Sequence, residues 1–135
     1  MTDARKAAGD AGWGLACALL LHVVLILLTV AWVTFYSHVL EPGHDRAFYE
    51  AHAAHSGPFV SLIAGGPTFY LVAFWVTRRR ESARPAWAAV SLYLLTDLAI
   101  FAAIGAVGAA LGLPFLAGAA IKVAGTALGA MRAKR

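Results

Sequence analysis

Apolar residues run almost unbroken through four stretches, residues 13–36, 58–77, 87–108 and 111–131, and polar residues collect between and outside them. Each stretch is close to the roughly 20 residues of helix that cross the hydrocarbon core of a bilayer. The pattern predicts an all-α fold: an integral membrane bundle of four transmembrane helices, a single domain over residues 1–135. The segments between the stretches are an external loop at 41–57, a cytoplasmic Arg-rich loop at 78–85, and a short turn around Gly112-Leu113-Pro114. So short a turn makes helices three and four an antiparallel hairpin, packed against each other. In the external loop, Glu41-Pro42-Gly43 ends the first helix. Residues 45–56 then read as a short amphipathic helix on the outer membrane surface, and Pro58 opens the second span.

Composition narrows the class. Hydrophobic residues are 61% of the chain and charged residues 13%, about half the charge of a soluble domain. The net charge of +4 does not point to nucleic acid, because the basic residues gather at helix ends. Arg5, Lys6, Arg78, Arg79, Arg80, Arg84, Arg132, Lys134 and Arg135 fall on one side of the predicted topology, against Arg46 on the other. Lys and Arg accumulate on the cytoplasmic side, so both termini and the Arg-rich loop are expected in the cytoplasm. Alanine-rich, Arg-over-Lys usage points to a GC-rich bacterial genome, and with the four spans the expected location is the bacterial inner membrane. Arg78, Arg79, Arg80 and Arg84 read as a lipid and topology anchor, each charge near anionic headgroups contributing about 1 kcal/mol. The ends, residues 1–12 and 132–135, read as disordered. The single Cys17 excludes an internal disulfide and reads as a small buried hydrophobe.

The candidate chemistry lies inside the spans. His22, Asp97 and Lys122 sit on helices one, three and four. Counting from Trp13, Trp87 and Arg132 at a rise of about 1.5 Å per residue puts all three roughly 14–15 Å from the inner edge, near mid-depth. Ionisable groups there cost free energy and ask for partners; Asp97 and Lys122 are the natural pair. Gly65-Gly66-Pro67 interrupts helix two at similar depth, where Pro67 should kink the helix and free the Ile63 carbonyl, with Tyr70 and Tyr93 as candidate donors. Gly118, Gly125 and Gly129 share the Lys122 face and predict close helix packing. His38, His44, His52 and His55 around the external loop offer a weak metal site without a recognised ligand spacing.

No phosphate loop, dinucleotide fingerprint or nucleophile elbow is present, and no enzymatic activity or cofactor is expected. Three readings follow. The first is an accessory, assembly or scaffolding component of the inner membrane. The alternative is an oligomeric proton-linked transporter or channel built on His22, Asp97 and Lys122. The third is a metal- or haem-handling component built on the external histidines. Expected partners are the lipid bilayer and a second copy or a larger membrane protein.

Overall fold

The computed structural model describes residues 3–103 and 112–135. Among the described residues all regular structure is helical. Helix α1 spans Asp3–Phe35 and passes into a π-helical turn, Tyr36–Leu40. Helix α2 spans Arg46–Arg80, α3 spans Arg84–Ala103, and α4 spans Leu113–Ala133. Three segments, Asp3–Leu40, Arg46–Arg80 and Leu113–Ala133, are long and apolar enough to cross a membrane. The ends of the third and fourth predicted stretches that meet in the last external turn, residues 104–111, lie outside the described residues.

Local chemistry sets the boundaries. Gly43 turns the chain at φ 92°, a conformation that favours glycine. Asp45 then caps α2, its carboxylate accepting from the Phe48 backbone N–H at 2.9 Å. At the other end of α2, Glu81 takes a left-handed conformation at φ 53°. Gly112 caps α4, and Pro114 occupies its first turn.

Two boundaries differ from the sequence expectation. Residues 45–56 are not a separate surface helix: α2 runs without interruption through Pro58 and Pro67. Its 35 residues span about 52 Å, well beyond a core of about 30 Å. Pro58 leaves the Ala54 carbonyl without its helical donor, but Ala54 is exposed, so the carbonyl can be met by water and the helix continues. The N-terminal segment is not irregular either. It belongs to α1 from Asp3 onward, and Asp10 within it is buried.

Packing also departs from the expected hairpin. Helix α4 lies mainly along α2, and α3 mainly along α1, whereas α3 and α4 touch little among the described residues. Small residues decide this pairing. A Cβ on Gly125 would collide with the Gly66 carbonyl, and one on Gly129 with the Tyr70 carbonyl. A Cβ on Gly14 would lie 2.6 Å from the Ala88 side chain and 3.3 Å from the Pro85 carbonyl oxygen, so α1 and α3 are also closely apposed there. The glycine face of α4 is therefore a face for α2, and backbone proximity of this kind supplies the dispersion that holds helices together in lipid. A continuous core of Cys17, Leu21, Phe69, Ala73, Val76 and Val90 joins α1, α2 and α3 toward the Arg-rich end.

Candidate functional site

Halfway along the bundle, side chains from all four helices meet. Lys122 leaves α4 with its stem over Gly65 of α2, where an added Cβ would lie 3.2 Å from its Cγ and Cε. Glycine at 65 thus makes the channel through which the stem crosses α2. The ammonium ends 3.9 Å from Asp97 Oδ2 on α3 and 4.9 Å from the centre of the Tyr93 ring. The other Asp97 oxygen faces His22 Nε2 of α1 at 3.7 Å. The His22 ring stacks on Tyr93 at 4.0 Å between centroids, and Tyr93 meets Phe69 edge-on. Ser61 of α2 lies beside the Tyr93 hydroxyl.

The residues of this cluster are buried unequally. The Lys122 side chain is 5% exposed, and those of Asp97 and His22 are each 20% exposed. Both charged contacts exceed the length of a direct hydrogen bond. An ammonium held over an aromatic face is attracted by the ring quadrupole, and more strongly where water is excluded. Lys122 therefore has two partners on α3, the Asp97 carboxylate and the Tyr93 ring.

A cavity of about 630 Å³ opens onto the cluster from the end of the bundle where α2 and α4 begin. Exposed residues, Ala54, His55, Pro58, Phe59 and Pro114, form its mouth. Gly118 and Phe115 line its wall, and Tyr93, Asp97 and Lys122 its base. An added Cβ on Gly118 would meet nothing within 4 Å, so this residue borders the void and does not clamp a neighbouring helix as its spacing from Gly125 suggested. In the sequence no signal marked the cavity. It depends on which helices are neighbours.

Other expected site residues fall elsewhere. Pro67 is exposed on α2, and Tyr70 stacks on Phe74, so neither joins the cluster. The histidines of the external segment do not converge. His52 accepts from Trp32 Nε1 at 3.2 Å and stacks on Tyr36. His38 lies against the Thr34 carbonyl and Ser37, His44 against Glu41 and Phe48, and His55 packs near Phe59. Among the described residues no three His, Cys, Asp or Glu side chains are arranged to hold a metal ion. The rings of His44, His52 and His55 pack on aromatic neighbours, and residues 46–56 are the first part of α2 and not a folded-back surface segment.

The Arg-rich loop holds a pair that the sequence reading passed over. Arg80 donates to Asp10 Oδ1 from Nε at 3.4 Å and Nη2 at 3.2 Å, and Ser82 donates to Oδ2 at 3.5 Å. Arg79 lies over the rings of Trp13 and Trp75, and Arg78 over Phe74. Arg84 is exposed. An acidic residue one helical turn before Trp13, next to the first apolar stretch, was the available signal for Asp10.

No known family, curated protein or solved structure matches this chain.

Proposed function

We propose that this chain is a four-span bacterial inner-membrane protein with both termini in the cytoplasm, and that it acts as a proton-linked transporter or channel, alone or as an oligomer. The observation that carries this reading is the cavity that ends on Asp97 and Lys122. A charge pair serving only to align helices has no need of a void leading to it, and intramembrane ionisable groups that line cavities mark ion and proton routes. Helix α3, with 20 residues and about 30 Å of length, is the fourth span in this proposal. The starts of α1 and α3 and the ends of α2 and α4 carry the basic residues and define the cytoplasmic end. The cavity then faces outward. The packed core between the cluster and the Arg-rich end closes the route inward, so passage requires a helix rearrangement or a second copy.

A second reading, an accessory or assembly component, is favoured by a different observation. The Asp97–Lys122 contact is one of few between α3 and α4 among the described residues. On this view the cluster is a staple across the bundle. Reconstituted vesicles with an internal pH dye separate the two. The transport reading expects the wild-type chain to dissipate an imposed pH gradient. It expects Asp97→Asn to lose that flux while keeping its elution volume and helical melting profile. A wild-type chain without flux both in the absence and in the presence of a small organic anion, or a variant that fails to assemble, supports the staple.

A further inference from the structure

The tautomer of His22 is set by its backbone contact. Nδ1 lies 2.9 Å from the Ala18 carbonyl oxygen. A carbonyl only accepts, so Nδ1 carries the hydrogen. In the neutral ring Nε2 is then a bare lone pair, and it faces the Asp97 carboxylate at 3.7 Å with no hydrogen bond of its own among the described residues. Two acceptors facing each other in a shielded site repel. One added proton, on the imidazole or on the carboxyl, turns them into a donor and an acceptor.

That proton changes the charge of the whole site. With it, His22, Asp97 and Lys122 together carry one positive charge; without it they carry none. The other groups facing the cluster are the neutral Ser61 hydroxyl from α2 and the Tyr93 phenol from α3, while His55 stands at the cavity mouth. Among the described residues, no carboxylate besides Asp97 lines the cavity. A monoanion arriving from the mouth meets the Lys122 ammonium, and the rest of its surface meets Pro58, Phe59, Pro114 and Phe115. The volume of about 630 Å³ is that of a small-molecule site. An organic cation finds only a carboxylate already flanked by an ammonium and an imidazole.

We infer that this cavity binds a monocarboxylate with an apolar tail, together with one proton shared between His22 and Asp97. The inference rests on the proton-linked reading and names its substrate class. The bound state is electroneutral, which lowers the cost of holding charge within the bilayer.

The test is calorimetric titration of hexanoate into the full chain in phosphatidylcholine nanodiscs, with empty discs as blank. Two buffers of different ionisation enthalpy are used at about pH 6 and pH 8, a range in which a carboxylate ligand stays ionised. The expected result is saturable binding with about one proton taken up per anion, weakening by up to about tenfold per pH unit as pH rises. Palmitate is titrated in parallel: hexanoate binding identifies a free solute, and binding of palmitate alone identifies a lipid-derived acid. Gly118→Leu places a side chain in the void and should abolish binding without lowering the melting temperature. If it does lower it, Phe115→Trp is the second plug. Hexylammonium and hexanol should not bind. Equal binding of hexylammonium, binding with no proton uptake, or unchanged binding in a folded plugged variant overturns the inference. Asp97-dependent proton flux with no carboxylate binding overturns the ligand class and leaves the transport reading standing; loss of both removes both.

Discussion

The two ends of this bundle treat buried charge in opposite ways. At the Arg-rich end, Asp10 is 4% exposed and receives donors from Arg80 and Ser82, with the Arg79 guanidinium lying over Trp13 and Trp75 nearby. The partners are in contact, and the adjoining core is filled. In the middle of the bundle, Asp97 also has two basic neighbours, but both stand beyond hydrogen-bond length and a cavity runs up to them. Closely bonded charge in a packed setting fixes geometry. Charge beside a void is the setting in which the proposed proton exchange and ligand binding would take place. The same residue type therefore sits in two settings, packed at one end and beside a void in the middle.

Four substitutions test this contrast. The largest effect is expected at neither charge but at the backbone contact beneath one of them. Gly125→Leu drives a side chain into the Gly66 carbonyl and should cost about 3 kcal/mol, the upper end for overpacking, because the obstructing atoms are main chain and cannot swing aside. A thermal melt followed by circular dichroism reads this directly. A melt within a degree or two of wild type would show that α2 and α4 are not so closely apposed.

Lys122→Met leaves Asp97 beside a void without its ammonium. Breaking a buried pair costs about 3–5 kcal/mol, and access to water through the cavity puts the expected loss at or below the lower end. The double variant Lys122→Met with Asp97→Asn should recover more than half of it. If the double variant is no more stable than the single one, the two groups do not act as a pair.

Asp10→Ala should cost about 1–2 kcal/mol by stranding the Arg80 and Ser82 donors. It should leave proton flux intact, since Asp10 lies at the opposite end from the cavity. A variant that loses flux at unchanged stability would erase the distinction drawn between the two ends.

The smallest effect belongs to Asp45→Ala. Loss of the cap costs about 1 kcal/mol, confined to the first turn of α2. Hydrogen exchange should quicken at Ala47, Phe48 and Tyr49, with the global melt unchanged.

Part of this site could be read by counting residues. His22, Asp97 and Lys122 come out at matching depth because helical rise is constant, and a charge of each sign at one level invites pairing. The role of glycine was half legible. A small-residue face on α4 announces close approach but does not name the neighbour, and the turn before α4 suggested α3 where the molecule uses α2. Gly118, Gly125 and Gly129 share one face by spacing, yet two meet backbone and one meets a void. Proline misled at one position: Pro58 suggested the start of a span, and α2 carries it inside one helix that begins at Arg46. Asp10 was hidden by a polar context that resembled an ordinary frayed end.

What the amino-acid order determined by itself is one-dimensional. It set where helices run for lack of charge, which termini carry the basic residues, and how far along each helix the ionisable groups lie. These follow from hydropathy and from a fixed rise per residue. Only the tertiary structure decided which helix faces lie together, and so that Lys122 crosses Gly65 to reach Asp97, that His22 turns Nε2 toward the same carboxylate, and that a cavity opens beside them. Neighbour choice among apolar helices depends on how closely backbones can approach, a property of two surfaces at once that no single stretch of chain contains.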